Sequence, residues 1–248
     1  MKRADAKLIV IPLEFKIACT IYKLDIQEVL QIFINHVTLY DAICPFYNEG
    51  FSEATRPINI YVRSKRRKVN ESKALLHCND LAVDSIKGIV ELAKKKTGQC
   101  RVKRKKSLFY VDSLHQIMKR TYVPSDTIYL DENTPLQLTK DFSVLCELHN
   151  RYPKEYLEHF MSMVSLADFH ARMGLNIPQT NLLMVLFMKI ANGFDRDSSE
   201  ILHLSDMELD FYERMDELRL EIYNIRDLAE RTAILKDFYL SYYQQTNL

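Results

Sequence analysis

The side chains whose type and spacing could do chemistry are concentrated between Arg63 and Lys106. This stretch holds 15 Lys and Arg against 4 Asp and Glu, a local charge of +11 in a chain whose formal total is +1. Residues 107–248 carry 13 bases and 22 acids, a charge of −9. A near-neutral chain with its charges sorted this way presents a positive field on one side, and such a field favours a polyanion. Each phosphate contact made by Lys or Arg releases condensed counterions, so a cluster of them binds nucleic acid strongly, salt-sensitively and without sequence preference. Arg can also read guanine edges in the major groove. The expected contacts fall in three clusters: Arg63, Lys65, Arg66, Arg67 and Lys68; Lys94, Lys95 and Lys96; and Arg101, Lys103, Arg104, Lys105 and Lys106. Of these, Arg66, Arg67, Lys95, Arg101, Arg104 and Lys105 are expected to carry phosphate contacts, which position a protein without reading bases. Tyr61, Phe109 and Tyr110 flank the clusters without punctuating them, which speaks against a single-strand stacking platform. Two other readings stay open: the run is a solvated loop, or it docks on an acidic partner or on the chain's own acidic half.

Other chemistry is thin. The sequence has no Walker-type phosphate loop, GxGxxG, GxSxG or HExxH, and five glycines could hardly build the first two. Glu200 and His203 have the Glu-x-x-His spacing of a helical di-iron site, but no second copy exists. His77, Cys78, Cys100 and Cys44 could supply four zinc ligands, yet none is paired at finger spacing, and ordinary thiols are the simpler reading. Glu155, Glu158, His159, Asp168 and His170 could assemble in space, although polar helix faces look the same. No cofactor or metal is expected, and a catalytic role ranks below a binding one.

The elements that must position the basic clusters are read as follows. Lys7–Ile11 is β-prone and stops at Pro12; helices follow over Leu13–Leu24 and Ile26–Tyr40, the second capped by Asp25 with Glu28. Pro57–Val62 alternates and predicts a strand with Ile58, Ile60 and Val62 on one face. A helix over about Leu81–Lys96 ends in lysines that complement its dipole, with Gly98 as the stop. Arg101–Lys106 then becomes the tip of a hairpin between Cys100–Val102 and Leu108–Val111. Asp126–Asn133 reads as a polar loop. Thr134-Pro135-Leu136-Gln137 predicts a helix start, with helix to Asn150. Further helices are expected over Lys154–Val164, Leu166–Met173 and Pro178–Ala191, the last buried and ended by Gly193. Asp197 with Glu200 and Ser205 with Glu208 read as capping boxes. Met207, Phe211, Met215, Leu218, Ile222, Ile225 and Leu228 form an amphipathic series from Leu204, extendable to Leu235, Phe238 and Tyr242; either one long helix or an antiparallel pair broken near Asn224 fits. A core-facing stripe is favoured over a dimer seam.

The strand Lys7–Ile11, the helix Leu13–Leu24, the turn Leu24-Asp25 and the helix Ile26–Tyr40 together resemble the ribbon-helix-helix family of DNA-binding repressors. The resemblance covers about one sixth of the chain. It implies a dimer whose paired N-terminal strands enter the major groove. Two features depart from the family: Asp25 stands where Gly is usual, and Leu8–Ile11 is apolar throughout, leaving Lys2, Arg3 and Lys7 to face bases. The alternative is a buried arm followed by two ordinary core helices.

At 248 residues and 47% hydrophobic content the chain can build a sizeable core, and its five Gly and seven Pro favour long helices. Cys19, Cys44, Cys78, Cys100 and Cys146 are scattered and odd in number, which with no signal-like start predicts reduced thiols in the cytoplasm. No apolar run approaches a membrane span. The expectation is a mainly α protein, with a small α+β N-terminal half whose few short strands fall in the first 115 residues and a helical-bundle C-terminal half; its segments are a strand-helix-helix N-terminal segment (1–62), a basic region with one helix (63–106) and an acidic helical bundle (107–248). Its expected role is non-catalytic, DNA-binding, and regulatory or architectural, with homodimerisation through the N-terminal strand or the C-terminal helix. The alternative is a helical protein-interaction scaffold whose basic face docks an acidic partner.

Overall fold

Twelve α-helices and one two-stranded hairpin account for the regular structure of the computed structural model, which describes residues 9–44, 52–65, 76–121, 126–131, 133–196 and 205–246. The helices are α1 Leu13–Ile21, α2 Ile26–His36, α3 Leu39–Ile43, α4 Thr55–Ser64, α5 Asn79–Lys94, α6 Cys100–Thr121, α7 Lys140–His149, α8 Pro153–Ser162, α9 Leu166–Gly174, α10 Leu182–Ala191, α11 Asp206–Glu221 and α12 Leu228–Thr246. Strands β1 Thr127–Tyr129 and β2 Pro135–Gln137 lie between α6 and α7. By contacts the chain divides into unit 1 (Met1–Val10 with Gln27–Phe160) and unit 2 (Ile11–Ile26 with Met161–Leu248). The three segments expected above group the chain by charge; the two units group it by packing.

Unit 1 forms around Phe33, whose ring stacks on Phe160 at 4.4 Å and meets Phe142 edge-on at 6.3 Å. The predicted helix Ile26–Tyr40 is interrupted. Thr38 is extended and its hydroxyl accepts from the Asp41 amide, starting α3 anew. Of the positions that its apolar period turns inward, Val29, Leu30, Phe33, Val37 and Tyr40 are buried nonetheless, and Ile26 is half-buried. Pro57–Val62 is helical, not a strand. Its alternation concealed a spacing of four: Ile58 and Val62 are buried while Ile60, between them, is 57% exposed. Pro57 sits in the first turn, where its missing N–H costs nothing.

The only strands among the described residues lie mid-chain, at 127–137, and not in the first 115 residues. Ile9, Val10 and Ile11 belong to no strand, and Lys7 and Leu8 fall outside the described residues. The polar loop and the helix start expected over 126–137 are instead the hairpin. Ile128 faces Leu136, and Asp131 closes the turn by accepting from the Asn133 and Thr134 amides. Its outer edge is filled by two glutamines one turn apart on α2. Gln31 donates to the Gln137 carbonyl at 2.9 Å and accepts from its amide at 2.9 Å, while Gln27 donates to the Pro135 carbonyl at 2.7 Å. An edge strand needs such cover for its unpaired backbone groups. Thr139 then caps α7 by accepting from the Phe142 amide, and Asn150 ends it in the left-handed conformation.

In unit 2, Pro12 opens α1, and its carbonyl accepts from the Phe15 and Lys16 amides. Phe15 and Tyr22 both meet Phe187 of α10 edge-on. Asn181 caps α10 by accepting from the Leu183 and Met184 amides, and Gly193, with φ +92, closes the turn beyond it. The Ser205–Glu208 capping box forms as expected, whereas Asp197 and Glu200 fall outside the described residues. The C-terminal stripe breaks near Asn224: a short 3-10 turn, Ile222–Asn224, separates α11 from α12. The two run antiparallel, with Phe211 against Tyr242 at 4.2 Å and Met215 against the Tyr239 hydroxyl. Phe211, Met215, Ile222, Leu235 and Tyr239 are buried and Leu218, Ile225, Leu228, Phe238 and Tyr242 half-buried, whereas Met207 is exposed, so the stripe faces the core from Phe211 onward.

Candidate nucleic-acid interface

The third basic cluster is not a hairpin tip. It is the first two turns of α6, a helix of 22 residues. Its buried positions, Lys103, Ser107, Val111, Leu114, His115 and Met118, recur at helical spacing. Two of them are polar at the start, which hid the period from a search for apolar residues.

α5 and α6 pair through a close approach at Gly88. A Cβ there would lie 2.3 Å from ring carbons of Tyr110, so the glycine is what lets the Tyr110 ring lie across α5. Gly98, with φ +98, turns the chain between the helices. Lys103 reaches back from α6, and its ammonium donates to the Lys95 carbonyl and, at 3.5 Å, to the Ala93 carbonyl. Those carbonyls lie at the C-terminal end of α5, where backbone acceptors lack helical partners and a cation is favoured. Lys103 is 3% exposed, so it holds the hairpin together and is removed from the surface.

Arg104 is also committed internally. Its guanidinium donates to Asp41 Oδ1 at 2.8 Å, and Asp41 Oδ2 accepts from the Thr38 hydroxyl at 2.7 Å. Beside this pair, Asp141 is buried and accepts from the Leu39 amide at 2.8 Å. Burial pushes the Asp141 carboxyl up to about 6, against the pull of that hydrogen bond. The carboxylates therefore fasten the start of α3 to α6 and α7.

The other cations around the turn between the two helices point outward. Lys94, Lys95, Lys96, Arg101, Lys105 and Lys106 are all exposed, with Lys94 bonded to Glu91 at 2.9 Å. Lys95, Lys96, Arg101, Lys105 and Lys106 make no ion pair with a described residue. No acid occurs from Leu92 to Val111, so the turn and the first half of α6 form one cationic surface. Arg63 and Lys65 are exposed at the end of α4, Lys65 lying 5.7 Å from the centroid of the Tyr61 ring. Arg66, Arg67 and Lys68 lie outside the described residues.

The other candidate sites are dispersed. His159 stacks on Tyr61 at 4.2 Å in unit 1, whereas His170 bonds the Tyr239 hydroxyl at 2.5 Å in unit 2. Glu158 and Asp168 pair one turn along their own helices, with Lys154 and Arg172, and Glu155 pairs with Arg151 just before α8. Among the described residues no group of three or more His, Cys, Asp or Glu is placed to hold a metal. The cysteines among them are free thiols, with burial pushing Cys19 up to about 12. Glu200 and His203 lie outside the described residues. No described helix is long and apolar enough to cross a membrane. No known protein family, curated protein or solved structure matches the chain.

Proposed function

We propose that this protein is a non-catalytic nucleic-acid-binding protein, regulatory or architectural, that engages the phosphates of DNA through the α5–α6 hairpin. The observation that supports the reading most is the set Lys94, Lys95, Lys96, Arg101, Lys105 and Lys106, outward on one hairpin with no acid from Leu92 to Val111. Six cations in reach of a duplex correspond to a log K against log salt slope of about −5. The helices of residues 107–248 serve packing and protein contact, with a homodimer as the working assembly and the cytoplasm as its place.

Binding of the purified chain to labelled duplex DNA across a salt series is the direct measurement. A steep slope that flattens by about three when Arg101, Lys105 and Lys106 are reversed to Glu supports the proposal. Absence of binding at low salt removes it.

A second reading has its own observation. Unit 1 contains an open cavity of about 310 Å³ lined by Leu39, Val62, Val83, Ile86, Leu145 and Leu148 among others, with Arg63 at its side. A hollow of mixed polar and apolar lining beside a basic segment suits a scaffold that docks an acidic protein, and retention of a partner by the charge-reversed protein would separate the two.

A further inference from the structure

We infer that the outward face of α6 is a binding site for single-stranded nucleic acid, in which Phe109 stacks on an unpaired base while Arg101, Lys105 and Lys106 hold the flanking phosphates. The inference rests on the nucleic-acid reading above and names the form of nucleic acid taken. In a hairpin, Phe109 would have stood apart from the basic tip. Wound as a helix at about 100° per residue, Arg101, Lys105, Lys106 and Phe109 share one arc, opposite Lys103, Ser107, Val111 and Leu114. Lys105 and Lys106 lie about one turn before the ring, and Arg101 about two.

Phe109 is 71% exposed, the most exposed phenylalanine among the described residues. Its ring meets Tyr110 edge-on at 5.4 Å and 79°, and Tyr110 is itself lodged against Gly88. An anchored ring thus braces an outward one. Val102 and Leu108 widen the apolar patch on the same arc. A large ring held in water amid cations suits a ligand that is both apolar on its faces and anionic along its length. A single strand offers both, because every unpaired base has a π-face and the backbone tracks a positive surface. A duplex offers the phosphates but keeps its base faces stacked. Charge complementarity therefore selects a polyanion, and the exposed ring selects its unpaired form.

The test uses the full chain, anisotropy of a labelled oligothymidylate of about 20 nucleotides, and a duplex of the same length. Phe109→Ala is expected to weaken oligothymidylate binding about tenfold and to leave duplex binding unchanged, while Phe109→Trp retains single-strand affinity. Because the side chain points outward, circular dichroism should show both variants folded. The same comparison on oligouridylate separates RNA from DNA, and a Phe109 effect on either strand type supports the site. Equal loss on single strand and duplex, or no loss on any strand, overturns it. If the Glu substitutions at Arg101, Lys105 and Lys106 abolish binding while Phe109→Ala changes nothing, stacking fails and the phosphate reading stands. If the chain binds neither nucleic acid but binds phosphatidylserine vesicles, both fall.

Discussion

Unit 1 and unit 2 are stabilised in different ways. Unit 1 buries Asp41, Thr55, Ser85, Lys103, Ser107, His115, Asp141, Ser143 and Glu147, whereas Arg231 is the one buried polar or charged residue among those described in unit 2. Rings pack both interiors, Phe33 with Phe142 and Phe160 in unit 1, and in unit 2 Phe15 and Tyr22 on Phe187 and Phe211 against Phe238 and Tyr242. Even Arg231 is spent on backbone, donating at 3.4 Å to the carbonyls of Gly174 and Ile225. A buried charge persists only if its partners replace water, so the interior of unit 1 depends on specific pairs as well as on filled volume, and that of unit 2 mainly on filled volume. Local sequence patterns report volume better than pairs.

The largest expected effect comes from breaking a pair. Asp41→Ala strands Arg104 and removes an acceptor of the Thr38 hydroxyl. With the Arg104 side chain 37% exposed, the cost falls toward the lower end for buried pairs, about 3 kcal/mol. Hydrogen exchange should show protection lost in α3 and α6 and retained in α12; uniform loss would mean that the two interiors are not separately maintained.

Acidification separates the units next. Burial, then the Arg219 charge, pushes His170 down to about 4, so its contribution is present above the ordinary 6.5 and lost as pH falls through 4, a change on the order of 3 kcal/mol. His159 in unit 1 is likewise pushed down to about 4, by burial and then Lys65. Asp141 opposes it. With its carboxyl raised from 3.8 to about 6, its contribution is present below 3.8 and lost as pH rises through 6. Unit 2 should therefore lose more protection than unit 1 between pH 6.5 and 4. Asp141→Asn should steepen the profile of unit 1 over that range, and an unchanged profile would show that Asp141 does not supply the opposition.

Two smaller substitutions sharpen the contrast. Gly88→Ala forces Tyr110 off α5 and should cost about 1–2 kcal/mol by urea unfolding. It should also loosen the brace behind Phe109. Lys236→Ala removes a 2.5 Å pair with Glu14 in unit 2, but that pair is largely solvated and its loss should stay under about 1 kcal/mol. A larger loss there would mean that unit 2 also leans on its charges.

The sequence by itself determined that the protein is mainly helical, that Pro178–Ala191 holds a buried helix, that Ser205 and Glu208 cap the next, and that Phe211, Met215 and Ile222 face the core. It also located the basic stretch. These are local matters: caps and apolar period act within a turn or two of chain. Only the tertiary structure decided which cations of that stretch are available. Lys103 and Arg104 look like their neighbours in sequence, yet one caps α5 and the other binds Asp41, 63 residues away. The helix at 55–64 and the hairpin at 127–137 were decided likewise, the first by which of Ile58, Ile60 and Val62 met the core, the second by Gln27 and Gln31 covering its edge. Charge is a property of a residue, but its availability depends on whichever distant backbone or carboxylate the fold brings beside it.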